Sequence, residues 1–253
     1  GRSRKRMKKN HRWRFRTALL AAGIVLTIGG CSGKKDDRIS QIKESGVFRV
    51  AIVNTDSRYT SFSGETPVGI EPELCDTIAQ ALGVTTDYQV MSRSQALQAV
   101  SDGQADIAVG CMNATSRLAD EYQISTPYGK GFFYAVTKAG DYAMTVGALE
   151  DSSVGVDFGL DEETRSQLYQ AKGISVRDYE NMQDAAADLK NGTIRAYICY
   201  ENQAKELALD SELQVQNLMN LNAEEFVIVT GKESQTLISG IDIIVRQFLE
   251  KEN

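Results

Sequence analysis

The sequence predicts an α/β protein whose globular part folds as two lobes, each a mainly parallel sheet flanked by helices. Three observations carry this. Strand-like runs rich in β-branched residues alternate with stretches whose apolar residues recur at helical spacing, the pattern of a parallel sheet with crossover helices. The alternation runs twice, over residues 47–110 and again over 153–199. A local echo links the two passes: Ala99-Val100-Ser101-Asp102-Gly103-Gln104-Ala105-Asp106 and Asp188-Leu189-Lys190-Asn191-Gly192-Thr193-Ile194-Arg195 both read as helix end, glycine turn and strand.

Residues 47–53 form a β-branched apolar run suited to a buried strand. Residues 72–82 place Leu74, Ile78, Ala81 and Leu82 on one side of a helix, and Gly83 follows as a C-terminal stop. A strand over 86–90, a helix over 94–101 and a strand over 105–110 complete the first pass. The second pass reads as strand 153–156, helix 161–171, strand 174–178, helix 182–190 and strand 194–199. Asp106 and Arg195, each three residues past the turn glycine, are expected to do structural work at the strand starts. The closing strand 226–230 and helix 236–250, with Leu237, Ile241, Ile244, Val245, Phe248 and Leu249 apolar, are too little for a third domain. They are expected to return to the first lobe, so that the chain crosses between lobes twice. In open α/β sheets ligands bind beyond the carboxyl ends of the strands, which directs attention to the loops there.

Ahead of these lobes stands a leader. Nine Lys and Arg and no acid fall within residues 1–16, and residues 17–28 are mostly apolar. A bilayer span needs roughly 20 apolar residues, so this shorter run reads as a signal-peptide core. It ends in Ile28-Gly29-Gly30-Cys31, the pattern of a bacterial lipid-attachment site, with small residues that admit a peptidase and a cysteine that takes acyl chains. The expected organisation is a signal peptide over 1–30, a lipidated tether over 31–39, a first lobe from 40–130 plus 227–253, and a second lobe over 132–222. The expected location is extracytoplasmic, on a membrane.

From Cys31 onward 19 basic residues face 34 acidic ones, a formal balance near −15 that repels phosphate backbones and argues against nucleic acid. The one histidine, His11, and the one tryptophan, Trp13, both lie in the leader. A mature chain without histidine runs no Ser-His-Asp triad and lacks the commonest transition-metal ligand. Cys75, Cys111 and Cys199 show neither CxxC spacing nor an even count, so they read as small buried hydrophobes, with oxidation of one pair left open by the compartment. No cofactor is expected. No heptad or charge run marks an obligate partner helix, so a monomer is expected.

Further marks run in order along the chain: Ser45-Gly46-Val47-Phe48-Arg49-Val50, Pro67-Val68-Gly69-Ile70-Glu71-Pro72-Glu73-Leu74, Ala79-Gln80-Ala81-Leu82-Gly83-Val84, Asp102-Gly103-Gln104-Ala105-Asp106, Ile124-Ser125-Thr126-Pro127-Tyr128 and Leu189-Lys190-Asn191-Gly192. With these, residues 44–250 resemble the extracytoplasmic solute-binding proteins of polar amino-acid ABC importers, bacterial solute-binding protein family 3, in lipoprotein form. The resemblance implies the type II periplasmic-binding-protein fold with a two-stranded hinge. It also implies one small polar ligand held between the lobes, and an ABC permease and ATPase as partners.

Three anchors that such proteins usually offer an α-amino acid look altered. The T-x-x-R carboxylate clamp aligns on Thr115, but Leu118 takes the arginine's place and Arg117 comes one residue early. One residue is about 100° of rotation on a helix, so Arg117 reaches the ligand only if the turn is remodelled. The second lobe's Gly-Thr-Thr becomes Gly159-Leu160-Asp161, where Asp161 either caps a helix or meets the ligand. The acid that receives the ligand's amine falls on Tyr200, with Glu201 one residue late. Tyr59 stands where the family tends to place a covering aromatic. Phe62 nearby either joins it or packs on its own lobe, and Asp56 is either a cation contact or a solvated loop acid. Cys111 and Asn113 follow a first-lobe strand into the crevice, Asn113 as a ligand contact or as a satisfier of its own backbone. These departures predict a ligand other than a standard free α-amino acid. Alternative readings are an enzyme resembling cyclohexadienyl dehydratase, with Glu201 and Asp161 as acid and base, and a sensor subunit that presents its ligand-bound form to a membrane signalling protein.

Overall fold

The computed structural model describes residues 35–252. The expected signal peptide and lipid-attachment Cys31 lie outside the described residues. In chain order, α1 (Arg38–Ser45) leads into β1 (Val47–Ile52), and a hairpin of β2 (Ser61–Ser63) and β3 (Thr66–Val68) precedes α2 (Ile70–Leu82). Then come β4 (Thr85–Val90), α3 (Arg93–Ser101), β5 (Ile107–Val109), α4 (Ser116–Glu121), β6 (Gln123–Ile124) and β7 (Gly129–Gly131). The second half holds β8 (Phe133–Lys138), a 3-10 turn at Val146–Leu149, β9 (Ser153–Asp157), α5 (Glu162–Leu168) and β10 (Ser175–Tyr179). It continues through α6 (Met182–Asn191), β11 (Ala196–Tyr200), α7 (Glu201–Leu207) and β12 (Leu213–Asn217). The chain returns through β13 (Glu224–Phe226) and β14 (Val229–Thr230) to α8 (Gln235–Glu252).

Two five-stranded sheets result, ordered β4-β1-β5-β14-β6 and β10-β9-β11-β8-β12. In each, three parallel strands carry an antiparallel pair on one side. The expected two-lobe α/β fold is therefore present. β1 is buried along most of its length, as a central strand covered on both faces must be. On one face Phe48, Val50 and Ile52 meet Leu74 and Ile78 of α2 and Leu237, Ile241 and Val245 of α8. On the other, Ala51, Ala108 and Val229 meet Ala96, Ala99 and Val100 of α3. The second sheet is likewise double-sided, with Val154, Val156 and Ile198 against Leu149 and Leu168, and Val136 and Tyr197 against Leu189 and Leu207.

Helix ends follow local chemistry. Ser92 accepts from Gln95 N at 3.3 Å while Gln95 Oε1 accepts from Ser92 N at 3.0 Å, a reciprocal cap that starts α3 one residue before the sequence pattern does. Asp161 is not helical but caps α5, which runs three residues shorter at its far end than the apolar pattern implies. The expected tether reaches too far into the fold. Asp36 accepts from Thr236 N at 2.7 Å, and α1 begins at Arg38, which reaches Asp106 at 3.5 Å.

The strand-start residues work as expected. Asp106 Oδ2 accepts from Arg49 N at 2.7 Å, and Arg195 bonds Asp141 at 3.1 and 3.2 Å. Cys75, Cys111 and Cys199 are all free; two are buried, and Cys111 is half-buried. Between the halves, β7 and β13 pair antiparallel, with Gly131 opposite Glu224 and Gly129 opposite Phe226, and form the two-stranded hinge.

Candidate functional site

The carboxyl ends of the central strands of both sheets open onto one cavity of about 820 Å³. Thr55, Asp56 and Tyr59 enter it after β1, Arg93 after β4, and Gly110, Cys111 and Asn113 after β5. From the other lobe come Gly159 and Asp161 after β9, and Tyr200, Glu201 and Lys205 at the end of β11. Lys130, Gly131, Glu224 and Phe226 of the hinge strands line it as well. A volume of this order suits one small solute, and its position beyond the strand ends is where open α/β sheets bind ligands.

The first lobe's wall is organised by Glu71, in the first turn of α2 and only 1% exposed. Its Oε1 accepts from Thr60 Oγ1 at 2.9 Å, and its Oε2 accepts from Cys111 N at 3.0 Å and from the Tyr128 hydroxyl. One carboxylate thus ties the loop after β1, the turn after β5 and the approach to the hinge. Burial pushes its carboxyl above the ordinary carboxylate range, while the Tyr128, Cys111 and Thr60 hydrogen bonds pull it back. Asp56 and Cys111 both hold φ near +50°, at 46° and 49°, an uncommon setting for side chains larger than glycine and one that clusters at ligand sites. The Cys111 thiol is pushed up by burial and by the charge of Glu71.

Tyr59 is buried, and its hydroxyl both donates to Lys130 O and accepts from Lys130 N at 3.1 Å. Its ring meets Phe226 edge-on with centroids 4.9 Å apart, so the β1 loop is stapled to both hinge strands. Gly129 permits this, because a Cβ there would lie 2.5 Å from the Tyr59 ring. Across the cleft, Asn113 Nδ2 donates to Asp161 Oδ2 at 3.1 Å, and Ser116 N donates to Glu163 Oε2 at 2.9 Å. Asp161 meanwhile accepts from Thr164 N at 2.8 Å as the cap of α5. Glu201 pairs with Lys205 one turn on, at 3.3 Å. Tyr200 packs on Phe133 with centroids 5.6 Å apart, and burial together with Glu224 raises its hydroxyl.

Seven residues singled out in the sequence come together here: Asp56, Tyr59, Cys111, Asn113, Asp161, Tyr200 and Glu201. Three do not line the cavity. Phe62 packs against the first lobe's core from the β2 hairpin. Thr115 caps α4, accepting from Leu118 N at 3.1 Å. That cap sets a regular helix in which Leu118 turns into the core, so Arg117 turns out, 89% exposed and paired with Glu121 at 3.3 Å.

The sequence reading missed Arg58, Arg93, Lys130, Lys205 and Glu224, all in the lining. Together with Asp56, Asp161 and Glu201 they balance four acids with four bases, a lining suited to a solute bearing both charges. Glu224 is 7% exposed, and its carboxyl is pushed up to about 8 by burial and by Asp161, with Arg93 opposing. A signal for it existed: in Glu224-Glu225-Phe226 the strand alternation puts Glu224 on the same side as the apolar Phe226.

Comparison with known proteins follows the same lines. The profile of the bacterial extracellular solute-binding proteins, family 3, matches residues 48–251. The L-cystine-binding protein TcyJ of Escherichia coli (strain K12) is 27% identical over 191 residues, covering 72% of this chain and 71% of that protein. The arginine-binding extracellular protein ArtP of Bacillus subtilis (strain 168) is 24% identical over 184 residues, 71% of this chain and 70% of its own. Among solved structures, the amino acid ABC transporter substrate-binding protein AbpA from Streptococcus pneumoniae, bound to L-arginine, superposes with a TM-score of 0.64 at 26% identity, covering 84% of this chain and 93% of that one.

Proposed function

Because the chain belongs to the bacterial extracellular solute-binding proteins of family 3, we propose that it captures a small polar solute, an amino acid or related compound, between its lobes outside the cytoplasm and delivers it to an ABC permease. The carrying observation is one cavity lined by the strand ends of two separate sheets, with the paired hinge strands running between them. A solute that touches both walls binds the arrangement in which they meet better than one in which they part, and it shifts the balance by that difference. The contacts we assign to it are Asp56, Tyr59, Cys111, Asn113, Asp161, Tyr200 and Glu201, all in the lining. Residues 38–130 with 227–253, the first lobe taken back to the start of α1, and residues 132–222 are the units assigned to move. Acylation of Cys31 would hold the protein at the membrane, each buried methylene contributing about 0.8 kcal/mol. The relatives support binding rather than catalysis, since TcyJ, ArtP and AbpA are named as binding proteins.

The test is a ligand panel of amino acids, small peptides, polyamines and organic acids, read by thermal unfolding and X-ray scattering. A bound solute at 100 times its Kd adds about 2.7 kcal/mol to stability. A panel that moves neither the melting temperature nor the scattering profile removes the reading.

A further inference from the structure

Glu224 is a buried acid that the protein itself does not neutralise. It lies on β13, opposite Gly131 of β7. It is 93% removed from solvent, yet its carboxyl makes no hydrogen bond or ion pair with any described residue, and it lines the cavity. Buried carboxylates are ordinarily paired or hydrogen-bonded, because taking an unpaired charge out of water is unfavourable. Gly131 contributes to the setting, since a Cβ there would come within 3.3 Å of Glu224 Oε1.

The charged and titratable groups around it come from several elements. Asp161 at the start of α5 and Arg93 at the start of α3 act on it with opposite sign. Tyr200 at the end of β11 and Cys111 after β5 feel its charge in turn. Lys130, on the facing hinge strand, is exposed and makes no ion pair among the described residues. None of these closes on the carboxylate, and the rings of Phe226 and Tyr200 line the same cavity.

We propose that Glu224 is the cation acceptor of the cleft, so that the solute it selects presents an ammonium or guanidinium group to the hinge strand. This rests on the solute-capturing reading above and narrows it to one chemical class. A cation at Glu224 stabilises the ionised carboxylate and so lowers its pKa in the complex. Between that lowered value and about 8, binding expels a proton from Glu224, and affinity rises with pH.

The experiment is calorimetric titration of the protein and of Glu224→Gln with L-arginine, L-cystine, putrescine and N,N′-diacetyl-L-cystine. Titrations near pH 7 are run in two buffers of different ionisation enthalpy. At least one of the three amine-bearing probes is expected to bind, at least tenfold more weakly to E224Q, with proton release in the wild type that E224Q abolishes. The diacetylated probe is expected not to bind. Thermal melting of E224Q alone establishes that the variant folds. Binding of the diacetylated probe, equal affinity of E224Q, or affinity that falls with rising pH overturns the cation assignment while leaving solute capture intact. No binding by any probe overturns the assignment as well, and the broader panel then decides whether the capture reading falls with it.

Discussion

Asn113 and Asp161 stand on opposite lobes and share a hydrogen bond, Nδ2 donating to Oδ2 at 3.1 Å. The same carboxylate caps α5 through Thr164 N at 2.8 Å. Contact between the lobes therefore runs in part through a carboxylate fixed by its own helix and an amide whose Oδ1 also accepts from Glu225 N at 3.1 Å, and parting the halves breaks this bond together with the one from Ser116 N to Glu163 Oε2.

This separates two substitutions. Asn113→Ala removes an exposed acceptor for Glu225 N as well as the bond across the cleft, and is expected to lower stability by less than Asp161→Ala while shifting the scattering profile toward a wider average cleft. Asp161→Ala removes the cap too and is expected to cost about 1 kcal/mol in denaturant unfolding. Equal stability losses for the two would contradict this division of labour.

Glu71 should be among the costliest single changes in the first lobe. Glu71→Ala leaves Cys111 N and the Tyr128 and Thr60 hydroxyls without their shared acceptor, and each buried orphan costs about 1–3 kcal/mol. Glu71→Gln keeps the volume and part of the accepting capacity, so urea unfolding should rank it between alanine and wild type.

Stability should fall with pH because of Glu224. Its folded-state value, about 8, lies above the ordinary 4.5. The folded state therefore holds the proton more tightly, and the group's contribution is intact below the ordinary value and lost as pH rises through about 8. The loss is on the order of a few kcal/mol. Glu224→Gln cannot titrate, so the difference between E224Q and wild-type unfolding curves should widen in the variant's favour from pH 5 to pH 8. A constant difference would show that the carboxyl is not buried in solution.

Gly131→Ala tests the hinge. Its Cβ would stand 2.5 Å from Phe226 Cζ, so the ring or the strand must shift, at a cost of about 1–3 kcal/mol typical of overpacking. The same shift displaces Glu224 and Tyr59, and solute affinity should drop along with stability.

Arg117→Ala should do almost nothing. An exposed ion pair one helical turn apart contributes about 0.3–0.5 kcal/mol. Solute affinity indistinguishable from wild type is expected, whereas a tenfold loss would return Arg117 to the cleft.

The alternation of strands and helices was legible because buried parallel strands and amphipathic helices leave strong periodic signals, as in 47–53 and 72–82. The strands β8 and β12 were not. β12 reads Leu213-Gln214-Val215-Gln216-Asn217, an edge strand with mixed burial, and nothing local says that it pairs antiparallel with β8 some eighty residues earlier. In the site, residues directly after strand ends were readable, because the chain itself carries Cys111 and Asn113 into the crevice. Arg93 and Lys130 were not, because each is placed by a neighbouring element: the reciprocal cap of α3 for Arg93, and the pairing of two strands far apart in sequence for Lys130; for Glu224 the alternation with Phe226 gave the inward side, but only that pairing gives the cavity. Arg117 failed for a local reason, since Thr115 capping and Leu118 burial together fix the rotation of a short helix.

The order of the first sheet also dictates the order in which the protein is completed. β6 pairs with β14, which also borders β5 and is the last strand in chain order among the described residues. All five strands of the second sheet emerge before it, so that half can finish its core during synthesis while the older half waits with a gap beside β5. A chain truncated before Val229 would therefore keep the younger half assembled and leave the older one unable to seal.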